Sequence, residues 1–194
     1  SAHTVSIGLI GPGLVGGALL DQVASQVERL RRDFKLDLRV RGIGGSKSMR
    51  LTQGSIDLAR WRDEYAVGGD PVDLERFADH VHADQFPHAV IIDCSASAAV
   101  ASRYAHWLSQ GIHIVTPNKK ANSAAWGDYE RVREARRAAG SHYLYEATVG
   151  AGLPVIDTLQ GLVGSGDRVK RIEGVLSGSM SYLLGRLEEG ARLS

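Results

Sequence analysis

Apolar and polar residues follow two distinct periods along this chain. Strands are predicted at 5–10, 36–43, 88–94, 112–116 and 142–147, and 88–94 is a continuous apolar run of strand length. Apolar residues recur at the spacing of an amphipathic helix over 14–33, 72–82, 97–110 and 122–139. Strands that alternate with helices in this way predict a mostly parallel sheet with helices on both faces, which is the α/β fold class.

Two segments depart from this alternation. Residues 44–73 are polar and interrupted by glycines, so we interpret them as loops with short helices. After Glu146 the sequence predicts a glycine-rich loop, a helix, a strand, a glycine turn and a last helix. We therefore predict one domain over 1–147 and the beginning of a second, α+β domain over 148–194.

Composition and charge narrow the range of partners. The chain has 194 residues, of which 43% are hydrophobic and 23% are charged, as is ordinary for a globular protein. Its 23 basic and 22 acidic residues leave a net charge of +1, so no overall field favours nucleic acid or an anionic membrane. No apolar run reaches the length of a membrane span, and a single cysteine fits a reducing compartment. We expect a cytoplasmic protein with a small-molecule partner, and with neither nucleic acid nor a membrane as a partner.

The first strand runs directly into the stretch GPGLVG, where Gly11, Gly13 and Gly16 form a G-x-G-x-x-G pattern before a predicted helix. The first glycine of this pattern permits a tight turn, the second leaves room for a pyrophosphate, and the third lets the helix pack close to the strand. Free backbone N–H groups at the helix start then face the anion. The alternative is a strand-to-helix turn without a ligand. The context favours a dinucleotide site in a Rossmann-type, doubly wound sheet.

The end of the second strand bears on which dinucleotide is bound. An NAD-selective site places an Asp or Glu there, where it accepts hydrogen bonds from the ribose hydroxyls. The sequence instead has GGSKS at 44–48, and Asp37 lies too early in the strand. Ser46 and Lys47, with Arg50 as a further candidate, suit a 2′-phosphate, so we predict NADP rather than NAD. The alternative is that Lys47 is a solvated loop residue.

Three further stretches, together with the glycine loop, carry a family resemblance. They are DCSASAAVASRYAHWLSQGIHIVTPNKKANS at 93–123, YEATVGAGLPVIDTLQGLVGSGD at 145–167 and IEGVLSGSMSYLLGRLEEG at 172–190. Over nearly its whole length the chain closely resembles homoserine dehydrogenases, in particular the dehydrogenase part of bifunctional aspartokinase/homoserine dehydrogenases. The resemblance implies NAD(P)-dependent interconversion of L-homoserine and L-aspartate 4-semialdehyde in aspartate-family amino-acid biosynthesis. It also implies a Rossmann domain followed by a catalytic and dimerisation domain, and hence a homo-oligomer.

The resemblance also implies roles for individual residues. Cofactor contacts are implied for Leu14 and Val15 in the glycine loop, for Ser95, and for Lys119 of the NKK motif, which is also the candidate catalytic residue. A site for a monovalent cation such as sodium, formed largely by backbone carbonyl oxygens, is implied at Glu146, Val149, Ala151 and Leu153. Gly178 and Ser179 resemble the turn that meets the amino-acid substrate, where many relatives carry threonine instead of Ser179.

The chemistry of Ser95, Lys119 and Cys94 supports some of these roles and opposes others. Ser95 follows a strand end of an open parallel sheet, where ligands bind, and serine also suits a cap of the next helix. A lysine near a substrate carbonyl stabilises developing negative charge or exchanges a proton, although one of Lys119 and Lys120 could be merely solvated. Cys94 ends an apolar strand without an adjacent base, so we interpret it as a packing residue rather than a nucleophile. We interpret His80 and His82 as surface residues.

The family also has a later segment with acidic residues and a second lysine that bind substrate and support proton transfer, and this chain ends before it. We therefore expect a piece of a longer enzyme, with an intact cofactor site and an incomplete catalytic site, that is nearly inactive by itself. Two alternatives stay open. One is another amino-acid dehydrogenase with the same cofactor fold, and the other is a dinucleotide-sensing module without chemistry.

Overall fold

A computed structural model of the chain describes residues 3–116, 134, 137–141, 143–145 and 159. The strands in this part are β1 (His3–Ile10), β2 (Leu36–Gly44), β3 (Ser48–Leu51), β4 (Asp70–Pro71), β5 (His88–Asp93), β6 (His113–Thr116) and β7 (Tyr143–Tyr145). The helices are α1 (Leu14–Phe34), α2 (Trp61–Ala66), α3 (Leu74–Val81), α4 (Ala98–Ala101) and α5 (Tyr104–Ser109). These strands form one sheet in the order β4-β3-β2-β1-β5-β6-β7.

Strands β2, β1, β5, β6 and β7 run parallel to one another. Strand β1 pairs with β2 on one side and with β5 on the other, so the sheet grows in opposite directions from β1. In an open α/β sheet, ligands bind outside the carboxyl ends of the strands at such a switch point. The predicted Rossmann-type sheet is confirmed, and its switch point lies at the glycine loop.

Apolar side chains cover both faces of the sheet. Helix α1 places Leu19, Val23 and Leu30 against one face. On the other face, Phe77 of α3 and Trp107 of α5 pack against the central strands. Alternate residues of β5 belong to one cluster or the other. Burial on both faces explains why β1 and β5 are nearly continuous apolar runs in the sequence.

The segment 44–73 contains more regular structure than its polar sequence predicts. The expected short helix is present as α2, but β3 and β4 are additional strands, and β3 pairs antiparallel with both β2 and β4. Only Met49 is buried in β3, so side-chain burial leaves almost no pattern there. The predicted helix over 97–110 is also wrong in its continuity, because α4 ends at Ala101 and α5 begins at Tyr104.

The remaining predicted elements lie largely outside the described residues. Residues 134 and 137–139 are helical, within the predicted helix 122–139, whose other residues are not described. Of the predicted second domain, 148–194, only Leu159 is described, and it is buried within the cluster that α1 forms with the sheet. In the described part of the chain, no helix combines the length and the apolar character needed to cross a membrane.

Candidate functional site

The glycines between β1 and α1 serve different geometric purposes. Gly11 has a positive φ of 87°, and a Cβ at this position would lie 2.6 Å from the amide nitrogen of Ser95. A Cβ at Gly16 would lie 2.1 Å from the carbonyl oxygen of Gly11, so no side chain fits where α1 passes the loop. A Cβ at Gly13 would meet nothing within 4 Å. Gly11 and Gly16 are therefore required by the fold, whereas Gly13 leaves space in front of the helix.

The start of α1 offers hydrogen-bond donors to that space. Gly13 is the N-cap, and it makes no side-chain hydrogen bond to the first amides of the helix. The first turn contains no acidic residue that would compete with an anion. Leu14 is 73% exposed, and Val15 is half-buried against the core. An open, positively polarised helix start of this kind fits a pyrophosphate group.

The carboxyl ends of three strands meet at this loop. Ile10 pairs with Gly44 of β2 and with Asp93 of β5. The Gly11 N–H donates to the Gly44 carbonyl oxygen at 2.8 Å, and the Cys94 N–H donates to the Ile10 carbonyl oxygen at 2.7 Å. The segments that follow β1, β2 and β5 are thus held side by side along one edge of the sheet.

The turn between β2 and β3 carries two predicted cofactor contacts. Ser46 and Lys47 are exposed at its tip, and the Gly45 N–H donates to the Ser48 carbonyl oxygen at 2.8 Å. The Lys47 carbonyl oxygen accepts a hydrogen bond from the Val72 N–H at 3.0 Å, so the turn is fixed while both side chains stay accessible. The turn follows Gly44 directly and therefore lies beside the glycine loop.

Of two further residues that bear on the cofactor, Asp37 lies away from the glycine loop, whereas Arg50 lies in the β2–β3 ladder next to the turn. Asp37 pairs with Thr4 near the amino end of β2, at the far end of the strand from the glycine loop, as its place in the sequence predicts. Its carboxylate accepts hydrogen bonds from Arg31 and Arg39. Arg50 pairs with Ile43 inside the β2–β3 ladder and is half-buried.

Ser95 lies on the opposite side of the glycine loop from that turn. Its hydroxyl donates to Asp93 Oδ1 at 2.6 Å, and its N–H donates to the same oxygen at 2.8 Å. The expected capping role is wrong, because the N-cap of α4 is Ser97, whose hydroxyl oxygen accepts from the Val100 N–H at 3.2 Å. Ser95 is half-buried and its hydroxyl is held in place by Asp93.

Asp93 is a fully buried carboxylate that the sequence interpretation missed. Tyr104 donates a hydrogen bond to its Oδ2, and the Thr116 hydroxyl donates to its backbone carbonyl oxygen at 2.7 Å. Tyr104 Oη also lies 3.1 Å from Thr116 Oγ1. These contacts join the carboxyl ends of β5 and β6. The sequence does contain a signal for Asp93, because an acidic residue at the end of a continuous apolar strand is expected to be buried. A buried carboxylate needs hydrogen-bond donors, so polar partners are expected around it.

The sequence predicts a packing role for Cys94 and surface positions for His80 and His82. Cys94 is half-buried and packs against the core, and burial raises the pKa of its thiol, which opposes a nucleophilic role as predicted. His82 is exposed, as predicted. For His80 the prediction is wrong: the ring is half-buried and its Nε2 donates to the Thr52 carbonyl oxygen at 2.6 Å.

The other predicted site residues lie outside the described part of the chain. They are Lys119, Glu146, Val149, Ala151, Leu153, Gly178 and Ser179. Thr116 is the last described residue before the segment that contains Lys119. Since β6 is parallel to β5, Thr116 lies at the same edge of the sheet as Ser95.

A glycine loop at the switch point of a parallel sheet, open in front of a helix start, defines a dinucleotide-binding domain of the doubly wound class. Comparison with known families agrees: the sequence model described as "Homoserine dehydrogenase, NAD binding domain" matches residues 11–146. The model described as "Homoserine dehydrogenase" matches residues 154–194. The chain belongs to the homoserine dehydrogenase family, and the resemblance inferred from the sequence is confirmed.

Several curated relatives are bifunctional. The chain is 50% identical over 184 residues to bifunctional aspartokinase/homoserine dehydrogenase 1, chloroplastic, of Arabidopsis thaliana, covering 94% of this chain and 20% of the relative. It is 39% identical to the Haemophilus influenzae bifunctional enzyme, covering 98% of this chain and 23% of the relative. It is 33% identical to the Schizosaccharomyces pombe homoserine dehydrogenase, covering 94% of this chain and 49% of the relative. The chain thus spans less than half the length of each of these relatives.

Solved structures share the fold. A Candida auris protein of unknown function superposes with a TM-score of 0.61 at 27% identity, covering 84% of this chain and 43% of that chain. A hyperthermophilic archaeal homoserine dehydrogenase in complex with NADPH superposes with a TM-score of 0.60 at 23% identity, covering 80% of this chain and 48% of that chain. At this identity the second likeness shows the fold alone.

Proposed function

We propose that this chain contributes the cofactor site of an NAD(P)-dependent homoserine dehydrogenase that interconverts L-homoserine and L-aspartate 4-semialdehyde. The observation that carries the proposal is the meeting of the glycine loop, the Ser46–Lys47 turn and Ser95 at one switch point, in a chain of this family. The bound dinucleotide supplies or accepts the hydride. The polypeptide supplies binding, orientation and the handling of the hydroxyl proton.

Each described part of the site has a distinct task in this proposal. Backbone N–H groups at the start of α1 bind the pyrophosphate. Lys47 and Ser46 bind the 2′-phosphate of NADP, since no carboxylate stands at the end of β2 to repel it. Ser95 holds the other half of the dinucleotide on the β5 side. Lys119 is the proposed group at the substrate oxygen, where a positive charge favours the developing alkoxide and a proton can be exchanged.

Further parts of the proposal rest on the family resemblance. The monovalent cation is assigned to Glu146, Val149, Ala151 and Leu153, and the amino-acid substrate to Gly178 and Ser179. The natural polypeptide that contains this chain is proposed to form a homo-oligomer, with no nucleic-acid or membrane partner. A cytoplasmic location is the prediction from the sequence, whereas the names of the plant relatives place those proteins in the chloroplast.

Calorimetric titration of this chain with NADPH and NADH tests the cofactor assignment. We expect binding of both, with the higher affinity for NADPH. If neither NADPH nor NADH gave binding heat while the circular dichroism spectrum showed an intact fold, the proposal would be contradicted. The reaction is tested on the natural polypeptide by following NADP⁺ reduction with L-homoserine, with other amino-acid alcohols as alternative substrates. A Lys119→Met variant is expected to lose far more turnover than affinity for NADPH, because Lys119 is proposed to act at the substrate oxygen in addition to contacting the cofactor.

A further inference from the structure

The cluster that buried Asp93, Tyr104 and Thr116 form with half-buried Ser95 fixes the direction of hydrogen bonding at the β5 side of the site. Asp93 is fully buried and both of its carboxylate oxygens accept hydrogen bonds, Oδ1 from Ser95 and Oδ2 from Tyr104. Asp93 therefore cannot turn without breaking contacts on both sides. Its orientation is fixed by its neighbours within the fold.

The fixed Asp93 carboxylate determines how the Ser95 hydroxyl can form hydrogen bonds. A serine hydroxyl has one hydrogen to donate, and Ser95 gives it to Asp93 Oδ1 at 2.6 Å. Its oxygen accepts from the Ser97 N–H at 3.3 Å, and it retains further accepting capacity. Ser95 is half-buried next to the glycine loop. A ligand group that meets this oxygen must therefore bring its own hydrogen.

Phosphate oxygens do not satisfy that requirement at neutral pH, but ribose hydroxyls and a carboxamide N–H do. The 2′-phosphate end of the dinucleotide is assigned to the Ser46–Lys47 turn, on the β2 side of the glycine loop. Ser95 lies on the β5 side. The half of the dinucleotide that reaches Ser95 is thus the nicotinamide half, which carries both kinds of donor.

We infer that Asp93 and Tyr104 are positioning residues that commit Ser95 to accepting a hydrogen bond from the nicotinamide riboside half of the cofactor. This inference rests on the proposed function. Tyr104 acts through Asp93, and Thr116 supports both, because its hydroxyl donates to the Asp93 carbonyl oxygen and lies 3.1 Å from Tyr104 Oη. None of the three needs to touch the cofactor to set how tightly its nicotinamide half is held.

Two ligands separate this role from a general effect on folding. NADPH contains the nicotinamide half, and adenosine 2′,5′-bisphosphate lacks it while keeping the 2′-phosphate end. We expect Tyr104→Phe to weaken NADPH binding by about fivefold to tenfold, the effect of one misdirected hydrogen bond, and to leave adenosine 2′,5′-bisphosphate binding within about twofold. Calorimetry on this chain measures both affinities.

Ser141→Ala is the matched control. The Ser141 hydroxyl is also buried and donates to a carbonyl oxygen of α5, that of Leu108, at 2.6 Å, but it is not part of the cluster. This variant loses a buried hydrogen bond to the same helix, and we expect it to bind both ligands like the unmodified chain. If Tyr104→Phe does not fold, Thr116→Val is used instead. We expect it likewise to weaken NADPH binding and to leave adenosine 2′,5′-bisphosphate binding unchanged.

A double-mutant cycle tests whether Tyr104 acts through Ser95. We expect Ser95→Ala to weaken NADPH binding to a similar extent, and Tyr104→Phe to add nothing in that background. Equal losses for both ligands, no loss in Tyr104→Phe, or additive losses in the double variant would each overturn the inference. Failure of the unmodified chain to bind either ligand would instead contradict the proposed function itself.

Discussion

Arg41 is a buried cation that no carboxylate neutralises within the described part of the chain. It is 1% exposed, and its guanidinium group donates to the carbonyl oxygens of Gln53 and His80 and lies 3.4 Å from Ser6 Oγ. The ring of Phe86 lies 4.4 Å from its central carbon. Burial lowers the pKa of Arg41. The planar group joins β2 to α3 and to the segment after β3 through several hydrogen bonds at once, which an ammonium group cannot reproduce.

We therefore expect Arg41→Lys to lower the free energy of unfolding by about 2 kcal/mol, because the charge stays buried while backbone acceptors lose their donors. Arg39→Lys is the control. Arg39 lies two positions away on the same strand, its side chain is 40% exposed, and it pairs with Asp37 at 3.1 Å. That change should cost less than about 1 kcal/mol. Urea denaturation measures both, and equal losses would show that Arg41 has no special role.

Gly13 allows the cofactor site to be tested without damage to the fold. Its φ of −82° is open to other residues, and a Cβ there meets nothing within 4 Å. Asp and Asn are both favourable N-caps, so Gly13→Asp and Gly13→Asn should leave unfolding unchanged within about 0.5 kcal/mol. Only Asp places a negative charge against the pyrophosphate, so NADPH should bind it at least about tenfold more weakly than it binds the Asn variant. Equal affinities in titrations of the two variants would place the pyrophosphate elsewhere.

The sequence located residues whose role depends on the local backbone and missed those whose partners lie far along the chain. Gly11 and Gly16 follow from a motif of six residues, and the structure gives each a steric reason. Arg41, in contrast, alternates with Arg39 in a pattern typical of a solvated strand face, while its acceptors Gln53 and His80 lie 12 and 39 residues away. Buried polar networks of this kind have no local signature.

At the scale of elements, the turn between β2 and β3 carries the predicted selectivity for NADP. Its backbone is held at two points, by the Gly45–Ser48 pair and by the Val72 N–H. The Tyr65 hydroxyl adds a hydrogen bond to the Ser48 carbonyl oxygen at 3.3 Å. A fixed turn with an exposed Lys47 presents a charge at a defined position next to the glycine loop.

Lys47→Gln is therefore expected to weaken NADPH binding by at least about tenfold, since a hydrogen bond to a charged group is lost. NADH lacks the 2′-phosphate, so its affinity should change little. Lys35→Gln provides the control, because Lys35 is also exposed but lies just before the amino end of β2, away from the site. Titrations with both dinucleotides give the ratio of affinities. An unchanged ratio in Lys47→Gln would assign the 2′-phosphate to another group.

Secondary-structure elements were predicted correctly where side-chain burial leaves a pattern in the sequence. They were missed where backbone hydrogen bonds alone hold the element. Strands β1 and β5 were predicted within one or two residues because both of their faces are covered by apolar side chains. Strand β3 was missed because ladder hydrogen bonds to β2 hold it, with Met49 its only buried residue. The break between α4 and α5 has a local contribution from Ser102. Its hydroxyl donates to the Ala99 carbonyl oxygen at 2.6 Å, and this hydrogen bond competes with continuation of the helix.

At the scale of the whole molecule, the described part provides one edge of the sheet on which the proposed reaction depends. Residues that lie far apart in sequence, from the glycine loop to Thr116, meet there because the sheet grows in both directions from β1. The alternation of strands with helices predicted a mostly parallel sheet with helices on both faces, but it did not predict the antiparallel strands β3 and β4. The assignment of a family required the specific stretches at 93–123, 145–167 and 172–190 together with the glycine loop, and a pattern of hydrophobicity alone would not have distinguished them.

The stability of the whole molecule should depend on pH through two partly buried histidines. His80, on α3, and His88, at the start of β5, are half-buried. Burial lowers the pKa of His80, an effect that outweighs its hydrogen bond to Thr52. Burial likewise lowers the pKa of His88, and the neighbouring His3 adds to it. Both rings therefore protonate less readily in the folded chain than in the unfolded chain.

Because the unfolded histidines take up protons near pH 6.5 and the folded ones only at lower pH, the unfolded state gains protons first as the pH falls. The free energy of unfolding should be greatest above the ordinary histidine pKa and should decline as the pH falls from 7 through the folded values. We expect a decline below about 1 kcal/mol, since both rings keep contact with water. Urea denaturation at several pH values measures it. His80→Gln retains a donor for Thr52 but does not titrate, so it should flatten the profile, and adding His88→Gln should flatten it further. A profile that is equally steep in the double variant would assign the pH dependence to other groups.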